Sequence, residues 1–366
     1  MKKRVLVAMS GGVDSSVAAV LLQEQGYECV GVTMRLYENA MVANPRHTCC
    51  SLDDVEDARH VAYSLGMEYY VFDFSPEFDE KVIQKFVQYY EKGWTPNPCI
   101  DCNHYLKFDH LLKRAHELDC DYIATGHYAR VAQEGERFVL KRGLDAHKDQ
   151  TYALYSFGQD VLSRTLLPVG EYEKTKVREI AEAHHLINAR KHDSQDICFV
   201  PDGDYVAFLE RYTGKHYAPG DLVDAEGNVR GRHRGAVGYT IGQRRGLGIA
   251  SKEPLYVYDK DMTKNLVKVG GQEQLMADGL LAADWNWISS VSETPVRATV
   301  KIRYNAKDQP ATLFPLSAAD GEGENTVRIV FDVPQRAIAP GQAAVAYQGE
   351  NVLGGGTIVQ VLRHTK

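Results

Sequence analysis

Apolar positions along this chain follow two rhythms. Up to about residue 200, short apolar runs alternate with stretches of helical spacing. Val5–Met9 precedes a helical pattern over Ser15–Gln25, and Cys29–Met34 follows; Leu52–Leu65 precedes Tyr69–Phe72, and Tyr105–Leu118 precedes Tyr122–Thr125. This beat predicts a parallel sheet wrapped by helices. Ligands of such sheets gather beyond the carboxyl ends of the strands, so Ser10, Met34 and Gly126, each at or next to a predicted strand end, should line one crevice. After helical stretches at Lys174–His185 and Tyr205–Tyr212 the texture becomes β-type: Leu255–Tyr258, Leu266–Val269, Val296–Ile302, Val327–Phe331 and Ala343–Tyr347, separated by Gly, Pro, Asn and Asp. The expectation is an α/β doubly wound parallel sheet over residues 1–205, then two small all-β domains at 206–278 and 279–366, the last a β-barrel. Gly270-Gly271 and Asp278-Gly279 offer the boundary between them, and Asp320–Asn325 reads as an exposed hairpin tip. Trp285 and Trp287 alternate as strand neighbours do, so only one should face a core.

Of 366 residues, 44% are hydrophobic and 25% charged, a balance that excludes disorder and collagen-like structure. The apolar run after Met1-Lys2-Lys3-Arg4 stops at Ser10, too short for a signal-peptide core. No segment approaches the roughly 18 apolar residues of a membrane span, so a cytoplasmic protein is expected. With 42 basic and 49 acidic residues the net charge is -7, which argues against indiscriminate coating of nucleic acid but leaves room for a local basic groove. Between Asn228 and Ala250 lie Arg230, Arg232, Arg234, Arg244 and Arg245 with no acidic residue, a set able to hold phosphates. Seven cysteines, all before residue 199, make an odd count in a chain too long to need staples. Reactive or metal-bound thiols fit that better than a disulfide framework.

Directly after the first strand comes Ser10-Gly11-Gly12-Val13-Asp14-Ser15-Ser16, opening a helix. Two glycines let the backbone turn tightly and bring N–H groups close to an anion, the serines add hydroxyl donors, and the helix start adds its positive dipole end. Phosphate is the natural guest. The lysine of a Gly-Lys-Ser/Thr loop is absent, so transfer of a γ-phosphate is not indicated. Asp14 inside the loop is tolerable beside phosphates chiefly if a divalent cation such as Mg²⁺ lies between them.

Thr95-Pro96-Asn97-Pro98-Cys99-Ile100-Asp101-Cys102-Asn103 places two cysteines in a proline-stiffened loop just before a helix beginning near Tyr105. A thiol near a helix N-terminus has its thiolate favoured. The alternative is a structural zinc half-site, for which a second Cys-x-x-Cys pair is missing and the adjacent Cys49-Cys50 are poor partners. Cys198 stands in Asp193–Val200, a strand-like run bounded by polar residues, where a buried core cysteine is the simplest reading. His127, at a predicted strand end, reads more readily as a structural histidine than a catalytic one.

The loop at Ser10–Ser16 resembles the pyrophosphate-binding loop of the PP-loop ATP pyrophosphatase superfamily, whose members cleave ATP between the α and β phosphates and adenylate a substrate. With Pro96–Asn103, Thr125-Gly126-His127-Tyr128, Lys148–Tyr152, Ile197-Cys198-Phe199 and the later Gly238–Gly246, it occurs in the order seen in the tRNA-specific 2-thiouridylases, over essentially the whole chain. That resemblance implies a PP-loop-type sheet and an ATP-dependent tRNA sulfurtransferase. Such an enzyme adenylates C2 of the wobble uridine, position U34, and replaces its oxygen with persulfide sulfur. It further implies ATP, with Mg²⁺, at Ala8, Met9, Ser10, Gly11, Gly12, Val13, Asp14, Ser15, Met34 and Gly126. Asn97, Pro98 and Cys99 would border the target base; Lys148, Asp149, Gln150, Arg303 and Tyr304 would touch the tRNA at its anticodon loop. Cys102 would be the nucleophile and Cys198 the persulfide carrier, loaded by a cysteine desulfurase or a sulfur-relay protein. Some family members have Asp where this chain has Cys99, which leaves a zinc-binding or resolving role open there. Two alternatives stand beside this reading. A PP-loop ligase that adenylates a small molecule for amination would not need the two thiols, and an RNA-binding module with a zinc knuckle would leave the phosphate loop without a purpose.

Overall fold

The computed structural model describes residues 2–37, 52–192, 197–290, 294–316 and 325–363. Cys49, Cys50, Asp193–Asp196 and residues 320–324 of the anticipated hairpin tip lie outside them. The chain divides into two compact units, residues 1–83, 98–203 and 349–352, and residues 84–97, 204–348 and 353–366.

The first unit is built on a five-stranded sheet. In chain order come β1 (Arg4–Ala8), α1 (Val13–Glu24), β2 (Glu28–Arg35), α2 (Leu52–Ser64) and β3 (Glu68–Asp73). The chain then turns helical. α3 (Ser75–Phe78) continues through a π turn at Asp79–Ile83 into α4 (Gln84–Glu91), which belongs to the second unit, and α5 (Pro98–Asp101) continues as π-helix over Cys102–His110 into α6 (Leu111–Glu117). β4 (Tyr122–Ala124), the antiparallel hairpin β5 (Ala129–Glu134) and β6 (Arg137–Arg142), α7 (Gln159–Ser163), β7 (Thr165–Leu166) and α8 (Lys174–Ala183) complete it.

Strand order is β3-β2-β1-β4-β7, with every pairing parallel. Val5, Leu6 and Val7 have no exposed surface, as expected where both faces of a strand are covered and its sequence is uniformly apolar. From β1 the chain moves outward to β2 and β3, then returns to β4 on β1's other side. The switch point therefore lies beside the carboxyl end of β1, where the phosphate loop begins.

In the second unit α9 (Tyr205–Thr213) is capped by Asp204, whose carboxylate accepts from the Ala207 N–H at 3.0 Å. A four-stranded sheet follows, β8 (Gly220–Val223), β9 (Val229–His233), β10 (Tyr256–Asp261) and β11 (Leu266–Gly270), over a core of Leu222, Val257, Val267 and Val269. The remaining strands are β12 (Met276–Trp287), β13 (Val296–Lys301), β14 (Gln309–Leu316), β15 (Thr326–Arg336), β16 (Ala343–Gln348) and β17 (Asn351–Leu362). They run in the order β12-β15-β14-β13-β16-β17 and close through β12–β17 pairing into a six-stranded barrel.

Two expectations change here. Asp278-Gly279 lies inside β12, where pairing with β15 shifts register between Ala277 and Gly279, so what reads as a turn signal marks a bulge. Trp285 is buried, and Trp287 also packs against the barrel core, with the two ring centroids 5.5 Å apart. A register shift between Ala283 and Asn286, with Asp284 at φ +51°, breaks the strict alternation that would have turned one of them away.

Candidate active site

The phosphate loop leaves β1 at Ala8 and enters α1 at Val13. Gly11 has φ +73°, and a Cβ there would sit 2.3 Å from the Asp54 carbonyl oxygen, so glycine is required twice over. Gly12 at the helix N-cap offers no side-chain cap, which leaves the first N–H groups of α1 to be satisfied from outside the helix. The Ser10 N–H donates to Ser15 Oγ at 3.2 Å, while the Ser15 and Ser16 hydroxyls both donate to the Gly12 carbonyl at 3.1 Å. Gly126, just past β4, crosses directly over the start of α1: a Cβ there would lie 2.5 Å from Ser15 N. Met34 is the last residue but one of β2, one strand over, two residues beyond the partner of Ala8. Ser10, Met34 and Gly126 thus stand at the carboxyl ends of three adjacent strands, as the sequence suggests.

Three residues far along the chain grip this loop. Lys174, the first residue of α8, reaches both carboxylate oxygens of Asp14 at 2.7 and 2.8 Å. The Tyr128 hydroxyl donates to the same carboxylate at 2.8 Å. Buried Asn188 donates from one amide nitrogen to the Gly11 carbonyl at 3.0 Å and to Ser16 Oγ at 2.9 Å. Lys191 pairs with Asp54 and Asp57, each at 2.6 Å, fixing the start of α2 whose backbone Gly11 abuts.

Asp14 therefore does not offer the unclaimed carboxylate that a Mg²⁺ ion beside the loop would need. A charge pair spanning 160 residues is invisible to a reading that sees only Asp14's chain neighbours. Among the described residues no group of three or more His, Cys, Asp or Glu side chains is arranged to hold a metal ion.

The two thiol segments come next. Helix begins at Pro98 rather than near Tyr105, because proline, read as a loop stiffener, is also preorganised for the first helical turn. Cys99 is exposed, and Cys102, at the start of the π stretch, is buried. π-Helical insertions are often found at functional sites. Beside Cys102, buried Asn103 donates to the Ala153 carbonyl at 3.1 Å.

The Cys198 segment is a turn, not a strand: the Val200 N–H donates to the Ile197 carbonyl at 2.8 Å. Its apolar residues anchor rather than alternate. Phe199 packs edge-on against Phe78, with centroids 5.6 Å apart, and the Cys198 carbonyl accepts from the Tyr37 hydroxyl at 3.0 Å. Tyr37 itself meets Phe78 at 5.9 Å. The 75–83 helical stretch that carries Phe78 also packs against the π stretch bearing Cys102, so both thiol segments are seated on one support. Cys198 is half-buried and, like Cys102, is not cross-linked. By contrast, burial pushes the Cys29 thiol up to about 12 and raises that of Cys120, which keeps both protonated and inert.

Other candidate residues also take part in contacts within the protein. Buried Asp149 accepts from the Gly143 N–H at 3.2 Å and the Thr151 hydroxyl at 2.8 Å, with Arg142 at 3.6 Å, and so holds its own turn together. Gln150 exchanges two bonds with Tyr128, backbone N–H to carbonyl at 2.9 Å and Tyr128 N–H to side-chain oxygen at 2.8 Å, and thereby supports the tyrosine that holds Asp14. Both side chains thus brace the scaffold, while Lys148 is half-buried. His127 Nδ1 meets Thr125 Oγ1 at 2.7 Å, and burial, with Lys107 adding, holds its imidazole well below its ordinary range.

In the second unit Arg303 donates to the carbonyls of Arg336 and Ala337 at 2.7 and 3.3 Å, while Tyr304 is exposed with the Lys301 ammonium 5.5 Å from its ring centre. The arginine run is not wholly unopposed: Asp221 of β8 and Asp224 just after it lie 3.8 Å from Arg232 and Arg230 respectively. Arg234, Arg244 and Arg245 are exposed and have no ion-pair partner among the described residues.

Residues 3–202 match the family described as tRNA methyl transferase HUP domain, 206–271 the tRNA methyl transferase PRC-barrel domain, and 277–358 the aminomethyltransferase beta-barrel domain. The tRNA-specific 2-thiouridylase MnmA of Carboxydothermus hydrogenoformans is 50% identical over 363 residues, 98% of each chain. That of Clostridioides difficile is 47% identical over 365 residues, 99% of each. The chain belongs to the tRNA-specific 2-thiouridylase family. Among solved structures, a 4-thiouridine synthetase–RNA complex with bound ATP is similar with a TM-score of 0.36 and 16% identity, covering 58% of this chain and 50% of that one. Family membership runs through both units, since the matched relatives align end to end with the parallel sheet, the central sheet and the barrel. No helix among the described residues is long and apolar enough to cross a membrane.

Proposed function

We propose that this chain is a cytoplasmic, ATP-dependent tRNA sulfurtransferase that converts the wobble uridine, U34, to 2-thiouridine. The observation that carries the proposal is one compact unit holding an uncapped Gly-rich loop at the sheet's switch point together with two thiol segments seated on the same helical stretch. ATP would lie over the loop from Ala8 to Ser15, Met34 and Gly126, its phosphates taking the N–H groups at the start of α1. Full-length kinship to the 2-thiouridylases supports the choice of tRNA as substrate.

The C2 oxygen of uridine is a poor leaving group until activated. In the proposed sequence O2 attacks the α-phosphate, pyrophosphate departs, and the uridine carries AMP at C2. A persulfide on Cys198 then supplies sulfur: its terminal sulfur attacks C2 and AMP leaves, giving a Cys198–S–S–C2 adduct. The Cys102 thiolate attacks Cys198 Sγ, the adduct's S–S bond breaks, and 2-thiouridine departs, leaving a Cys102–Cys198 disulfide. A thiol reductant returns two electrons to that disulfide, and a cysteine desulfurase or sulfur-relay protein reloads Cys198. Cys102 could equally attack the persulfide first and release sulfide to C2, with the same disulfide as product. Asn97, Pro98 and Cys99 lead into the helix that carries Cys102 and so border the base, which must be extruded from its stack to reach it. Lys148, Arg234, Arg244, Arg245 and Tyr304 supply the remaining RNA contacts in this reading.

The test is to incubate the protein with tRNA, ATP and a persulfide or sulfide source, follow ATP-to-AMP conversion, and analyse nucleosides by mass. The reading requires AMP formation that depends on tRNA and a nucleoside heavier by the exchange of oxygen for sulfur. AMP formation driven by a small amine-accepting acid, with unmodified tRNA, would favour the ligase alternative instead.

A further inference from the structure

We propose that Lys174 is the counter-charge of the phosphate loop, held there to cancel Asp14 so that a pyrophosphate group can bind beside a carboxylate without a metal ion on it. The inference rests on the ATP-binding reading above and assigns a residue to it that no motif indicates. Asp14 is the loop's sole carboxylate and stands in the first turn of α1, where an anionic ligand would sit. Both its oxygens are taken by one ammonium at 2.7 and 2.8 Å, and one of them also by Tyr128 at 2.8 Å. Lys174 is 9% exposed, and its ammonium lies 5.8 Å from the Tyr128 ring centre.

Helix stability does not explain this placement. As the first residue of α8, Lys174 sits at the end of the helix dipole that disfavours a cation. An ion pair taken partly out of water, as here, is also a poor source of net stability compared with apolar packing. What the pair does achieve is local. It returns the loop's field to that of its N–H groups and of the helix start, both of which favour an anion. The Gly-Lys-Ser/Thr loops place their lysine inside the loop; here the lysine arrives from a helix 160 residues downstream and meets the loop's own carboxylate.

A charge cycle tests the proposal. Lys174→Met, Lys174→Arg, Asp14→Asn and the double variant Asp14→Asn/Lys174→Met are compared for binding of inorganic pyrophosphate and of ATP by calorimetry, with urea midpoints to establish folding. Lys174→Met should weaken pyrophosphate binding on the order of 100-fold, the effect of one uncompensated charge a few ångströms away at protein-like screening. Lys174→Arg should stay within about tenfold of the parent, because it keeps the charge. The double variant should recover most of the lost affinity, since the repelling carboxylate goes with the lysine. A double variant as weak as Lys174→Met would overturn the proposal, because Lys174 would then act on the phosphates themselves; so would unchanged affinity in folded Lys174→Met. Pyrophosphate binding is read without tRNA, so failure of the sulfurtransferase reading would appear separately, as absent tRNA-dependent AMP formation in the unaltered protein.

Discussion

Gly126→Ala tests whether the end of β4 and the start of α1 form one nucleotide-binding surface. The added methyl group would lie 2.5 Å from Ser15 N and 2.6 Å from the Asp14 carbonyl carbon, against an ordinary contact of at least 3.4 Å. Both obstacles are backbone, so no side-chain rotation relieves them. The loop after β4 and the first turn of α1 must separate by nearly 1 Å, at a cost of about 1–3 kcal/mol in stability, as for other overpacked sites. Function should suffer more. A displacement of that size in groups that position a reactant costs on the order of 100-fold in rate, or about 2.7 kcal/mol. ATP-to-AMP conversion at saturating tRNA, measured across ATP concentrations, should show kcat/KM lowered by that factor, while tRNA retention on filters stays within about twofold. A folded Gly126→Ala protein with unchanged kcat/KM for ATP would show that the two segments do not form one nucleotide-binding surface.

Three further outcomes are expected. Asn188→Ala leaves the Gly11 carbonyl and Ser16 hydroxyl without their buried donor; urea denaturation should show a loss of about 1–3 kcal/mol, accompanied by a raised KM for ATP. Tyr37→Phe removes the hydroxyl that holds the Cys198 carbonyl; AMP formation should continue while thiolation per AMP falls, and equal loss of both would contradict a local role at Cys198. The third concerns buried His233, whose Nδ1 accepts from the Gly235 N–H at 3.1 Å, so that Nε2 carries the proton and donates to the Asn265 carbonyl at 3.0 Å. Burial holds its imidazole below the ordinary value of 6.5, so below that pH the unfolded chain binds a proton that the folded chain refuses. Stability should therefore fall as pH drops from about 7 to 5.5, and His233→Gln should flatten that fall in urea midpoints. An identical slope in the variant would show that the proton is refused elsewhere.

Much of this architecture is legible because it depends on local order. Val5–Met9 is too short and too apolar for a surface helix, and the Ser-Gly-Gly-Val-Asp-Ser-Ser loop follows it at the position the sheet's topology reserves for ligands. What escaped was information carried by pairs far apart in sequence. Asp14 found Lys174, Gly11 found Asn188, and Arg230 and Arg232 found Asp224 and Asp221 at and just past the neighbouring strand. Local sequence also hides internal bracing: Asp149, beside Lys148, holds its own turn together through Thr151 and the Gly143 N–H. The apolar run around Cys198 has strand composition, yet its apolar residues serve as anchors for a turn, with Phe199 seated on Phe78. Proline at position 98 carries both a loop and a helix-start meaning, and only the packing of the helix it opens decides between them.

The most direct measurement is the nucleoside composition of tRNA after incubation with Cys198→Ser, ATP and a persulfide donor, alongside the AMP released. AMP should form at near the parent rate with no 2-thiouridine, because activation proceeds at the phosphate loop while the sulfur carrier is gone. Full thiolation by that variant would contradict that role.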